Sequence, residues 1–276
     1  MQAFLRHLQK FYKKNKRSTL PWRKTKHIYH ILLSEIMLQQ TQVSRVLIKY
    51  QEFLTRFPDI QTLANASLRD VLILWQGLGY NRRAKFLHQA TKALQAATPR
   101  ELGEYTYIQN LPGVGQSTAG AILAFTKNKP VVFIETNIRA VILHHFFKDT
   151  QEKVRDKEIH TVLEKILSIL PKDFGPRDFY YAMYDYGTHL KQTLGAHKKI
   201  LHQKSMSYVK QSKFSGSRRQ LRAYILKVFL EMKQVKNFKS KLLAKILETK
   251  PKNLDIYTKS DVLILIQELD NEGMLT

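Results

Sequence analysis

Twelve consecutive residues, Leu111-Pro112-Gly113-Val114-Gly115-Gln116-Ser117-Thr118-Ala119-Gly120-Ala121-Ile122, restrict this chain most. Two glycines flank one apolar residue, after a proline and before a helix-forming run. Gly113 and Gly115 allow a tight turn with positive φ and leave backbone amides uncovered. Ser117 or Thr118 can cap the helix that follows. The stretch therefore predicts two helices joined by a short hairpin, with the second helix N-terminus offered to an anion. An ordinary connection between helices has the same pattern. Charge bears on the choice: Lys plus Arg number 46 against 22 acids, a formal net charge of +24. Such an excess does nothing for folding and points to a polyanionic partner, with nucleic-acid phosphate the obvious anion.

Strand signals are scarce elsewhere and helical periodicity is common, so the expected fold class is all-α. At about 100–200 residues per domain, 276 residues make one large or two modest domains. There are no cysteines, hence no disulfide framework, no Cys-ligated zinc and no thiolate-held iron–sulfur cluster. No apolar run reaches membrane-spanning length, and Met1 to Lys16 lacks a signal-peptide core. The expectation is a soluble, cytoplasmic protein with no membrane partner.

Spacing predicts a first amphipathic helix through Phe4, Leu8 and Phe11, then a basic break. Pro21-Trp22-Arg23 follows, with Trp22 as a packing anchor. His27 to Leu38 reads as a helix with Ile28, Ile31, Leu32 and Leu38 on one face. Glu35, the first acid in the chain, falls on or beside that face. A carboxylate there is either paired, for example with Arg23, or has a raised pKa suited to a general acid. Gln39-Gln40-Thr41-Gln42 at the helix end is poor core and good equipment for hydrogen-bonding bases. Leu63 to Trp75 reads as one helix ending in Gly77-Leu78-Gly79-Tyr80. That turn presents Leu78 and Tyr80, either as a wedge into a base stack or as a packed loop. Asn81 to Gln95 is a helix with Arg82, Arg83 and Lys85 at its start.

Val131 to Ile134 is a short β-rich run before Glu135-Thr136-Asn137 and a helix from Ile138 to Phe147. Thr136 or Asn137 can cap that helix, which sets Glu135 near its positive end. The four tyrosines between Phe179 and Leu190 read as packing. No acid occurs between Asp185 and Glu231, and Lys198 to Lys213 within that interval reads as a basic linker. The tail divides into three short helices, Leu221 to Met232, Lys239 to Leu247 and Ser260 to Asp270, with a strand-like end, a winged-helix outline.

Three motifs in this order resemble the helix-hairpin-helix DNA glycosylases, and the adenine-specific MutY branch in particular. Ser34 to Val43 is similar to the segment carrying that branch's catalytic Glu, Trp75 to Tyr80 to its intercalating turn, and Leu111 to Ala121 to its hairpin motif. Pro21-Trp22-Arg23 also matches, and the likeness covers about residues 1–190. It implies a two-lobed helical catalytic region over 1–190; beyond it lie a basic linker over 191–212, in place of the cluster region, and the helical module with a winged-helix outline over 213–276.

The same resemblance implies roles by position. Glu35 protonates a flipped adenine and then helps to position water. Glu135 and Asn137 complete the catalytic set, with Glu135 where the family pattern has Asp followed by Gly and Asn. The added methylene moves that charge by about 1 Å, a displacement that can cost on the order of 100-fold. Gln39, Gln40, Thr41, Leu78 and Tyr80 handle the base stack and the opposite base. Gly113, Val114, Gly115, Ser117 and Thr118 hold a phosphate, with a monovalent cation on the hairpin carbonyls and no other metal or cofactor. Bifunctional relatives form a Schiff base through a lysine at the place of Ser117, so a monofunctional hydrolase is implied. Lys191 stands where the first of four cluster cysteines is expected. The substrate implied is double-stranded DNA bearing adenine opposite guanine or 8-oxoguanine, bound by a monomer at the nucleoid. A glycosylase for thymine or uracil opposite guanine, and a non-catalytic DNA-binding relative, are the alternatives.

Overall fold

A computed structural model describes residues 1–195, 204–207, 212–232 and 237–275. Fourteen helices carry these residues, and no strand forms among them; one isolated parallel bridge joins Val154 to Ser205. The run 131–134 has no ladder partner among the described residues. Side chains take its carbonyls instead: Tyr180 donates its hydroxyl to Val131 at 2.8 Å and Ser117 to Ile134 at 2.6 Å. The chain divides into two compact units, Met1–Ile36 with Ala97–Lys210, and Met37–Ala96 with Gln211–Thr276.

The first unit holds α1 (Gln2–Asn15), most of α2 (Ile28–Leu38), α7 (Tyr105–Gln109), α8 (Gln116–Lys127), α9 (Thr136–Phe146), α10 (Asp156–Leu167) and α11 (Pro176–Thr193). Pro176 opens α11 at the first helical position, where its missing N–H costs nothing. Phe179, Tyr180, Tyr181, Met183 and Tyr186 are then buried along it. Tyr181 stacks flat on Phe125 at 4.1 Å, and Tyr180 lies against Phe133 at 4.0 Å. These rings behave as the core that the tyrosine pattern predicts. Trp22 is buried as well. Helices α9 and α11 approach very closely at Gly187, where an added Cβ would lie 2.6 Å from that of Asn137.

The second unit holds α3 (Val43–Arg56), α4 (Ile60–Asn65), α5 (Leu68–Trp75), α6 (Arg82–Gln95), α12 (Arg218–Glu231), α13 (Phe238–Thr249) and α14 (Lys259–Asn271). The single helix expected over 63–75 is broken at Ala66. Ser67 restarts it by accepting the Asp70 amide at 3.0 Å. The segment expected as a module of its own, 213–276, falls in the same compact unit as residues 37–96. Arg69 on α5 shows how the two are joined. It donates to the carbonyls of Phe229, Leu230 and Met232 at 3.3, 2.9 and 2.7 Å, at the open C-terminal end of α12. The described residues of the tail are three helices without a strand, so the wing of a winged helix is not among them. Residues 196–203 and 208–211, most of the expected basic linker, lie outside the described residues. No helix among the described residues is long and apolar enough to cross a membrane.

Candidate active site

The first unit brings together Glu35, Glu135, Asn137 and the hairpin residues Gly113, Val114, Gly115, Ser117 and Thr118. Gly113 takes φ +76°, where a side chain would be strained, and Val114 donates its amide to Leu111 across the turn at 3.0 Å. Gly115 does not need the left-handed region: its φ is −86° and it is itself the N-cap of α8. Neither Ser117 nor Thr118 caps this helix, because α8 begins at Gln116, one residue before them. Ser117 instead ties the start of α8 to Ile134, the residue just before Glu135.

Glu135 is the N-cap of α9, in place of Thr136 or Asn137. Its extra methylene folds back, so that Oε1 accepts the amides of Asn137 and Ile138 at 2.7 and 2.9 Å. Oε2 accepts from Asn137 Nδ2 at 3.3 Å. These donors and the positive end of α9 favour the ionised carboxylate. Glu35 has no such support: no described residue donates a hydrogen bond to it or forms an ion pair with it. The structural alternative for Glu35 was a pairing with Arg23. That guanidinium goes instead to Asp185, in two contacts of 2.6 and 2.8 Å, and Arg17 adds a third at 2.5 Å.

Glu35 lies deep in the unit yet keeps a partly accessible surface, as does Glu135. Desolvation first, and the charge of Glu135 second, push its carboxyl up to about 8 against the weaker pull of Arg23. Burial also raises Glu135, opposed by the two amides, Lys191 and Arg139. Two nearby carboxylates cannot both ionise cheaply. Among the described residues Glu135 has donors for its charged form and Glu35 has none, which favours the proton on Glu35. Tyr184 faces both; burial and these two charges hold its phenol well above its ordinary value. The two carboxyls thus sit in unlike environments, one buried without donors and one held by amides, and such a contrast separates the roles that acid–base chemistry on a glycosidic bond requires.

The second unit holds Gln39, Gln40, Thr41, Leu78 and Tyr80. Gln40 is exposed at φ +55°, and Thr41 donates its hydroxyl to Leu78 at 3.2 Å. Leu78 is buried, whereas Tyr80 is 40% exposed, so the two candidate wedge residues are placed differently. Arg83 ties both turns together. It donates to the carbonyls of Met37, Gln39, Leu78 and Gly79 at 2.6–3.0 Å and to the hydroxyl of Thr41 at 3.0 Å. The basic start of α6 is thus largely taken up inside the protein, since Arg82 and Lys85 also bind Glu272. Arg219 on α12 donates to the Tyr80 hydroxyl at 2.9 Å.

Sequence reasoning passed over Asp185, Tyr184, Arg83 and Arg219 as partners of these sites. Asp185 carried a signal: an acid amid an aromatic helix, at a position that α11 buries. The others sit in ordinary helical contexts and carried none.

An all-helical chain with a glycine hairpin and a capped carboxylate deep beside a second one defines a class of helical, hairpin-bearing proteins. Residues 33–168, just under half of the chain, match the family described as "HhH-GPD superfamily base excision DNA repair protein". Named relatives are more particular. The chain is 38% identical over 172 residues to an adenine DNA glycosylase of Buchnera aphidicola subsp. Baizongia pistaciae, covering 62% of this chain and 48% of that one. It is 34% identical over 178 residues to the adenine DNA glycosylase of Mycolicibacterium smegmatis, covering 62% and 58%. The chain spans about half the length of the curated relatives it matches. Among solved structures, a thermostable thymine-DNA glycosylase superposes with a TM-score of 0.59 over 67% of this chain and 85% of that one, at 23% identity. That likeness shows a shared fold. A cysteine-ligated cluster does not fit this chain: it has no thiolate, and position 191 presents an ammonium bonded to Asn137.

Proposed function

We propose that this chain is a monofunctional adenine-DNA glycosylase, acting on adenine opposite guanine or 8-oxoguanine in duplex DNA. The observation that carries the reading is the pair of carboxyls: Glu35, deep and without a hydrogen-bond or ion-pair partner among the described residues, close enough to feel the charge of an amide-held Glu135. Glu35 delivers its proton to the leaving base and weakens the glycosidic bond. Glu135 stays ionised and stabilises the positive charge that develops on the sugar. Asn137 holds Glu135, and water completes the hydrolysis from the side where Glu35 has become a base.

The target nucleotide leaves the duplex first, at a cost of a few kcal/mol that a mismatch lowers. In this reading Gln39, Gln40, Thr41, Leu78 and Tyr80 engage the stack and the opposite base. The amides after Gly113 and Gly115 bind a phosphate at the start of α8, with Val114, Ser117 and Thr118 shaping the hairpin and a monovalent cation on its carbonyls. Ser117 offers no amine for a Schiff base, which supports hydrolysis without strand cleavage. The protein works as a monomer in the cytoplasm, at the nucleoid.

Single-turnover base release tests this on duplexes with A opposite 8-oxoguanine, A opposite G, T opposite G and U opposite G, with and without alkali. Alkali-dependent breaks at adenine alone are expected, with E35Q slower by at least about 100-fold. Breaks at thymine or uracil instead would transfer the same mechanism to another base. Binding without release from any duplex would leave a non-catalytic relative.

A further inference from the structure

Lys191 lies in the last turn of α11, and its Nζ donates to Asn137 Oδ1 at 2.7 Å. Asn137 Nδ2 in turn donates to Glu135 Oε2. An ammonium has donors only, so it can engage only the oxygen of the amide. It therefore selects one of the two amide orientations, the one that turns Nδ2 toward Glu135. The opposite orientation would set an NH2 against the ammonium and an oxygen against the carboxylate, two repulsive contacts in place of two hydrogen bonds.

The backbone around this chain of contacts is fixed independently. Glu135 is clamped by the amides of α9, and Asn137 packs onto Gly187 with no room for a Cβ. Gly187 and Lys191 are one turn apart on the same face of α11, so the face that admits α9 also carries the ammonium. Lys191 is half-buried and has no carboxylate at ion-pair distance among the described residues. The other cation near Glu135, Arg139 on α9, is already paired with Asp156 at 2.8 Å. Facing Glu135 from the remaining elements are Glu35 on α2 and Tyr184 on α11.

We infer that Lys191 is a positioning residue for the proposed reaction: through the amide of Asn137 it orients Glu135 and supplies the unmatched positive charge beside it. The inference rests on the glycosylase reading for its consequence in catalysis, but the arrangement itself can be tested without DNA. Burial disfavours the Glu135 anion, and the Lys191 charge opposes that. Removing the charge raises the pH at which Glu135 ionises and moves the acid limb of base release upward.

The test compares wild type, K191M, K191Q and K191R in two measurements. The first is single-turnover release of adenine opposite 8-oxoguanine across pH. The second is carbon-13 NMR titration of Glu135 in the DNA-free protein, assigned with E135Q. K191M is expected to slow release by about 10–100-fold and to raise the Glu135 titration midpoint. K191Q keeps a donor without the charge and should fall between K191M and wild type. K191R restores both the donor and the charge, and most of the rate. Unchanged Glu135 titration in K191M and K191Q would overturn the inference, as would a wild-type pH profile in those variants. Absence of base release from the wild type would sink the glycosylase reading instead, leaving the titration to decide on Lys191. Should K191M fail to fold, K191Q against K191R still decides.

Discussion

Glu35 acquires its chemistry from what surrounds it rather than from what it touches. A glutamate on an apolar helix face ordinarily finds a cation, and the sequence offers Arg23. Asp185, 162 residues further on, takes that guanidinium in a two-point contact. Among the described residues Glu35 is left without a hydrogen-bond or ion-pair partner, and burial favours its protonated form. A pH dependence follows with a definite sign. Its carboxyl moves from an ordinary 4.5 to about 8, so below pH 4.5 it is neutral in both the folded and unfolded chain. Between these values the unfolded chain ionises and the folded one does not, so stability falls as pH rises through that window. E35Q should match wild type at pH 4 and exceed it by about 1–3 kcal/mol near pH 8.5 in urea denaturation. In the proposed reaction, base release should also decline above about pH 8 as Glu35 loses its proton.

Two turns in the second unit depend on one guanidinium. The 39–41 turn and the 77–80 turn both contain residues with positive φ, and each leaves carbonyls that no helix satisfies. Arg83 supplies donors to both, because a planar fork can serve several acceptors at once. Its burial lowers its pKa only to about 10, so it stays charged at neutral pH. R83K keeps the charge but has a single nitrogen, and it leaves several of these carbonyls unmet. A loss of about 2–4 kcal/mol is expected in chemical denaturation, with faster amide exchange at 77–80. An unchanged midpoint would mean that water replaces the fork at no cost. A further device operates at this scale: Arg219 holds the exposed Tyr80 by its hydroxyl. R219A should weaken binding to mismatched duplex more than binding to single strands, if Tyr80 reads the stack.

At the scale of the whole chain, the tail is part of the second unit's fold. Glu272 gathers Arg82 and Arg222 around one carboxylate, and the backbone of the same residue takes Lys85. The Arg82 hydrogen bonds first, and Arg222 after them, hold this carboxyl down at about 2. A depressed folded value contributes stability that is complete above the unfolded value and fades as pH falls toward 2. The cluster is partly exposed, so the expected loss in E272A is about 1–2 kcal/mol at pH 7. That difference should shrink through pH 4.5 and vanish near pH 2 in matched thermal melts. The formal charge of +24 also predicts a steep salt dependence of DNA binding, with log K falling by about 0.9 per phosphate contact for each decade of salt.

The sequence by itself determined what acts over a few residues. Helical periodicity sets the all-α class, Pro112 and Gly113 place the hairpin, and Ile31 and Leu32 put Glu35 on an apolar face. The absence of cysteine excludes thiolate ligands outright. Short-range forces decide these matters, so they can be read along the chain. Tertiary structure alone decided how the polar groups pair. Arg23 had Glu35 and Asp185 to choose from, Glu135 could reach outward or fold back, and Arg83 could face phosphate or carbonyl. Lys191 and Asn137 meet only because Gly187 lets α9 close on α11. Each outcome is a competition among partners separated by tens of residues or more, settled by packing geometry and desolvation that local sequence does not encode.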